Sequence, residues 1–118
     1  MYAALDARMG EVYWAEYQVK DKQLIAVGNE AVIAPDKVVS SSSNRAVAIG
    51  HGWSSYGDIL AKQVSASIEK VEADKLPRAI EVVRLAKEML IKGDIVSAEN
   101  ALPVYLRDNV AKKKQVKV

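Results

Sequence analysis

The spacing of apolar residues changes about a third of the way along the chain. Before this point the pattern predicts strands, and after it the pattern predicts alternating helices and strands. The early segments are rich in β-branched and aromatic residues, which favour strands, and short turn-forming sequences separate them. In Glu11 to Val19, alternation puts Tyr13, Ala15, Tyr17 and Val19 on one face and Val12 and Trp14 on the other. The three predicted strands are Ala3 to Ala7, Glu11 to Val19, and Leu24 to Val27 continuing to Val32-Ile33.

Later segments alternate between helical and strand patterns. The most distinct is a helix that starts at Pro77 and ends at Gly93, because proline suits a first turn and glycine a helix end. One side of it is apolar at helical spacing (Ala79, Ile80, Val83, Ala86, Met89, Leu90), and Arg84 is predicted to pair with Glu88. The other predicted elements are a short helix at Pro35 to Val39, a strand at Ala46 to Ile49, a helix from Ser54 or Ser55 to Gln63, a strand at Val64 to Val71, and a short helix at Ser97 to Leu102.

The order βββαβαβα is that of a ribonuclease-H-like α/β domain, in which helices flank a mixed five-stranded sheet. Proteins of the actin-like ATPase superfamily place two such units side by side with nucleotide between them. Residues 1–118 contain one unit and no internal repeat, so the sequence predicts a single domain that forms one wall of such a cleft.

The amino-acid composition excludes some classes of protein and of binding site. The chain has no cysteine, which excludes disulfides and thiolate metal sites, and no apolar run approaches the roughly 20 residues of a membrane span. We therefore expect a cytoplasmic protein without membrane contact. Five of the seventeen basic residues lie between Arg107 and Val118 beside a single acid, Asp108. Residues 108–118 are thus a basic tail, either a solvated end or a segment that attracts phosphates.

Two stretches closely resemble the bacterial TsaB (YeaZ) family: ALDARMGEVYWAEY (Ala4 to Tyr17) and PVYLRDNVAKKK (Pro103 to Lys114). Between them, AIGHGW (Ala48 to Trp53) is similar to a family strand that ends in a glycine-rich turn and a tryptophan. The resemblance runs in register over essentially the whole chain. It implies that the chain is the second, C-terminal half of a two-domain protein of that family.

This resemblance implies a non-catalytic scaffold or activator that supports threonylcarbamoyladenosine modification of tRNA. Its partners would be the TsaD transferase and the ATPase TsaE, with tRNA involved indirectly and the TsaD contact made mainly by the absent N-terminal domain. No cofactor and no catalytic or metal-binding residue is expected. The alternatives are a glycoprotease-like enzyme domain and an RNA-binding module that uses the basic tail.

Five residues are the candidate interface. Tyr105, Arg107 and Asn109 alternate after Pro103 without an apolar or helical pattern, so either a partner surface or packing between domains explains them. Arg8 and Glu11 lie at the predicted first turn, where Arg8 would neutralise Asp6 and Glu11 or join an interface.

Other chemistry-bearing residues favour structural roles. Trp14 and Trp53 lie in apolar segments and are predicted to pack in the core. The single histidine, His51, lies between two glycines, which predicts a tight turn into a helix. Ser40 to Ser43 lack the elbow and base that a nucleophilic serine requires, so a loop is predicted there.

Overall fold

The computed structural model describes residues 1–40 and 45–107. Within this part of the chain there are five strands, two α-helices and two short 3₁₀ helices. The strands are β1 Tyr2–Asp6, β2 Val12–Lys20, β3 Gln23–Ile33, β4 Ala46–Ile49 and β5 Ile68–Glu72; the helices are α1 Gly52–Gln63 and α2 Ala79–Lys92; the 3₁₀ helices are Pro35–Lys37 and Ala98–Asn100.

All five strands belong to one mixed sheet in the order β3-β2-β1-β4-β5. The strands β1, β2 and β3 pair antiparallel, whereas β4 is parallel to β1 and β5 is parallel to β4. The first strand therefore lies at the centre, with Ala4 opposite Trp14 on one side and Tyr2 beside Ala48 on the other. The predicted mixed five-stranded sheet and the α/β fold class are confirmed.

One face of the sheet carries the core. The ring of Trp14 stacks on Tyr2 at 5.4 Å between centroids and lies 6.1 Å from Trp53 of α1. The Trp53 indole donates a hydrogen bond to the Tyr2 carbonyl at 3.3 Å, so its polar atom is satisfied inside the core. The core placement predicted for both tryptophans is confirmed. The remaining buried residues of this cluster are Ala4, Val12, Val38, Ala46, Ala48, Leu60, Val64 and Ala66.

The link between β4 and α1 passes very close to the central strand. Gly50 has φ +101°, and a Cβ placed on it would lie 2.4 Å from the Ala4 carbonyl oxygen. A Cβ on Gly52 would lie 2.9 Å from the same oxygen. Only glycine permits this approach, and it lets α1 start directly over the sheet, where Trp53 and Leu60 are buried.

The helix α2 forms where predicted, but its environment differs from the expectation. It ends at Gly93, whose φ of +75° and backbone bonds to Leu90 and Met89 are those of a left-handed helix end. None of its residues is buried. The predicted apolar side is real, but no described part of the chain covers it. Arg84 pairs with Glu81 at 3.0 Å instead of the predicted Glu88, because residues three apart also meet on a helix.

Several predicted boundaries shift for local reasons. The two pieces of the third strand join into β3 through an irregularity that sets Gly28 to Glu30 opposite Ala15, with Gly28 at φ +75°. The fifth strand starts only at Ile68, four residues later than predicted, although Val64 and Ala66 before it are buried. The short helices at Pro35 to Val39 and Ser97 to Leu102 are single 3₁₀ turns, Pro35–Lys37 and Ala98–Asn100.

Candidate functional site

The turn between β1 and β2 is closed by its own hydrogen bonds. The Ala7 amide donates to the Glu11 carbonyl at 2.9 Å, and the Glu11 amide donates to the Arg8 carbonyl at 3.1 Å. The Asp6 carboxylate accepts the Arg8 amide at 2.7 Å, as aspartate commonly does in turns. Arg8, Met9 and Gly10 all have left-handed backbone angles (φ +64°, +57° and +76°). This turn is therefore fixed independently of any partner.

Arg107 binds this turn from the far end of the described chain. Its guanidinium donates to the Ala7 carbonyl at 2.6 Å and to the Arg8 carbonyl at 3.4 Å, and it also pairs with the Glu11 carboxylate. The Arg107 side chain is only 13% exposed. A charged group at this depth needs such partners, because burial without them is costly.

The predicted interface residues do not all lie together in the structure. It brings Glu11 and Arg107 into contact, whereas Tyr105 points into solvent with 78% of its surface exposed. Arg8 contributes its backbone to both Asp6 and Arg107, and the cation that meets Glu11 is Arg107 rather than the expected Arg8. Asn109 lies outside the described residues, as does the whole basic tail, residues 108–118.

The second face of the sheet carries an apolar groove of about 350 Å³. Its floor consists of Ala3 and Leu5 of β1 with Tyr13, Ala15 and Tyr17 of β2, and Pro77 and Leu106 lie at its rim. The alternation in β2 indicated this apolar face, but no local pattern indicated that Leu106 would reach it. At the other rim, the Tyr17 hydroxyl donates to Glu30 at 3.3 Å. Burial raises the pKa of the Tyr17 phenol most, and the charge of Glu30 and its hydrogen bond raise this pKa further.

The histidine and the serine loop take structural positions where they are described. His51 precedes α1 in the predicted turn, and its Nδ1 is buried without a hydrogen-bond partner within residues 1–40 and 45–107. Ser40 shares a 2.7 Å hydrogen bond with the Tyr2 hydroxyl, and Ser41 to Ser43 lie outside the described residues. Nowhere in the described part do three His, Cys, Asp or Glu side chains come together as metal ligands would. The described helices are all too short or too polar to cross a bilayer.

These features define the class: an α/β domain of the ribonuclease-H-like, actin-like kind, with one face packed and the other open. A family model described as tRNA N6-adenosine threonylcarbamoyltransferase, TsaD, matches residues 1–115. The chain belongs to the TsaB (YeaZ) family, within the wider family that this model describes.

Two relatives carry the name tRNA threonylcarbamoyladenosine biosynthesis protein TsaB. The one from Escherichia coli K12 is 44% identical over 117 residues, which is 95% of this chain and 49% of that protein. The one from Haemophilus influenzae is 30% identical over 122 residues with the same coverage. A solved Pseudomonas aeruginosa structure, described as similar to the peptidase YeaZ, superposes with a TM-score of 0.71 at 34% identity, over 90% of this chain and 48% of its own. The chain thus spans about half the length of the relatives it matches.

Proposed function

We propose that this chain is the second half of a scaffold protein that supports threonylcarbamoyladenosine modification of tRNA and has no catalytic activity of its own. The observation that carries the proposal is its 44% identity, over nearly its whole length, to one half of a protein named for that biosynthesis. In the proposal, TsaD and TsaE are partners of the whole protein in the cytoplasm, and tRNA is reached indirectly through them.

The positions of the chemistry-bearing side chains support a non-catalytic role. Glu11 is engaged by Arg107, Asp6 closes a turn, and Trp53 is a core residue. Each of these groups has a structural partner that accounts for its position. The peptidase description belongs to the Pseudomonas protein, and the glycoprotease-like alternative gains no support from these contacts.

The two open apolar surfaces support the assignment as one half of a larger unit. The predicted apolar side of α2 (Ala79, Ile80, Val83, Ala86, Met89 and Leu90) is extended by Val82 and Leu85, and the groove on the second sheet face is also apolar. A helix this apolar is normally covered, and a large exposed apolar surface marks a contact site. We infer that the remaining half of a TsaB-length protein covers α2.

A chimera tests the proposal. The matching half of the E. coli TsaB is replaced by this chain in cells depleted of their own TsaB, and threonylcarbamoyladenosine in total tRNA is quantified by mass spectrometry. We expect the chimera to restore the modification and this chain alone to leave it absent. A folded chimera that fails would contradict the scaffold role, and restoration by the chain alone would contradict the half-protein assignment.

The basic tail favours a second candidate, an RNA-binding module. Lys112, Lys113, Lys114 and Lys117 would release counterions on contact with tRNA, so binding through them would weaken steeply with salt. Deleting residues 108–118 should abolish tRNA retention and its salt dependence if the tail is the contact. Unchanged retention would exclude the tail.

A further inference from the structure

The β1–β2 turn brings three acceptors to one point. The carbonyl oxygens of Ala7 and Arg8 and the carboxylate of Glu11 all receive hydrogen bonds from a single guanidinium, that of Arg107. A guanidinium is planar and presents five N–H donors in a fixed fork, whereas an ammonium is a compact point charge. An arrangement of two carbonyls and one carboxylate around the edge of a planar cation therefore suits arginine better than lysine.

The acceptors are held in place by bonds that do not involve Arg107. The two backbone bonds within the turn and the Asp6 contact to the Arg8 amide fix the peptide planes, and three successive left-handed residues set their direction. Arg107 is 100 residues from Ala7 in sequence. A turn that closes locally is formed before so distant a ligand arrives, and a preformed site loses little freedom on binding.

We propose that the β1–β2 turn is a guanidinium-binding site, that Arg107 is the ligand that fills it, and that this contact tethers residues 101–107 at the rim of the groove. Leu106, next to Arg107, lines that rim, whereas Val104 and Tyr105 are exposed. From Ala101 to Arg107 the chain has no helix or strand to hold it. Arg107 is thus a positioning residue that keeps Leu106 against the apolar groove.

The binding half of the proposal is tested with Arg107→Ala, which leaves the turn without its ligand. N-ethylguanidinium is titrated at millimolar concentration while the amide NMR signals of Ala7, Arg8 and Glu11 are followed. We expect a saturable shift in Arg107→Ala that is absent from the unmodified chain, where the site is filled. Ethylammonium and sodium chloride at equal ionic strength should produce no saturable shift. Glu11→Gln added to Arg107→Ala should weaken the binding at least roughly tenfold, because the charged partner is lost.

The tethering half is tested by the backbone dynamics of residues 101–107. We expect the heteronuclear NOE of these residues to fall in Arg107→Ala and to fall less in Arg107→Lys, which keeps the charge but not the fork. Arg84→Ala is the matched control, because Arg84 is an exposed arginine of α2 that does not touch the turn.

Three outcomes would overturn the proposal. Equal shifts of the turn amides in the unmodified chain and Arg107→Ala would mean adventitious cation binding only, and no saturable shift in either would mean that the turn is not a receptor. Unchanged dynamics of residues 101–107 in Arg107→Ala, with the β1–β2 turn intact by its amide spectrum, would show that something else holds Leu106.

Discussion

Glycine is required at position 50, just before α1, and is dispensable at position 57, in the middle of that helix. Gly50 has a left-handed φ and no room for a Cβ beside the Ala4 carbonyl, whereas Gly57 has open space where its Cβ would be. The same residue type therefore serves close packing in one place and carries only an entropic cost in the other.

We expect Gly50→Ala to lower the free energy of unfolding by about 3 kcal/mol or more, because backbone strain and a clash with the central strand add. The matched control Gly57→Ala should leave stability unchanged or raise it by up to about 1 kcal/mol. Urea unfolding followed by tryptophan fluorescence measures both. Equal losses would show that the approach of Gly50 to Ala4 is not what fixes this link.

Tyr17 gives the open sheet face a dependence on alkaline pH. Its pKa is raised in the folded chain by burial and by Glu30, so the folded state holds the phenolic proton more tightly than the unfolded state. The stability that follows is fully present below the ordinary tyrosine pKa and is lost as pH rises through the higher folded value. We expect Tyr17→Phe to remove a component of the tyrosinate absorbance that titrates above the ordinary tyrosine pKa. Glu30→Gln should move that component to lower pH, and an unchanged titration curve in both variants would contradict the assignment.

At the scale of elements, α1 and α2 show what a helical pattern can and cannot predict. Pro77 and Gly93 indicated the ends of α2 to within two residues, since proline and glycine act locally. The pattern also indicated an apolar side, but it carries no information about what covers that side. Burial depends on distant parts of the chain, and α1 is covered only because Gly50 and Gly52 bring it onto the sheet.

The two helices should respond differently to the same substitution. Leu60 of α1 is fully buried, so Leu60→Ala should cost about 2–5 kcal/mol through lost transfer free energy and a cavity. Leu90 of α2 is 62% exposed, and Leu90→Ala should change stability by less than about 0.5 kcal/mol. Chemical denaturation of both variants measures the difference. A large loss in Leu90→Ala would mean that α2 is covered in solution by a surface of this chain or of a second copy.

The candidate site was predictable only in part for a similar reason. Glu11 and Arg107 both stood out in the sequence, one in a turn and one in an irregular segment. No local sequence pattern could predict that these two residues pair, because they are 96 positions apart in the chain. Local turn chemistry explains Asp6 and Gly10, whereas the contact of Arg107 with two carbonyls follows from the tertiary fold.

At the scale of the whole molecule, one face of the sheet is packed and the other face is open. In the proposed function the contact with TsaD lies mainly in the part of TsaB-length proteins that this chain does not span. We therefore expect this chain, immobilised, not to retain TsaD, while the full-length E. coli relative serves as the positive control in the same pull-down. Tight, saturable retention of TsaD by this chain would move the contact onto the surfaces described above.

The central position of β1 also sets the order of events during synthesis on the ribosome. The β1–β3 meander involves neighbouring segments and can form early, whereas β4 and β5 must join β1 from its other edge after further residues have emerged. The Arg107 contact spans nearly the whole described chain, so it closes last. Stopped-flow measurements should then find that Arg107→Ala speeds unfolding and leaves the refolding rate nearly unchanged. The guanidinium contact would then slow unfolding and would not be formed in the folding transition state.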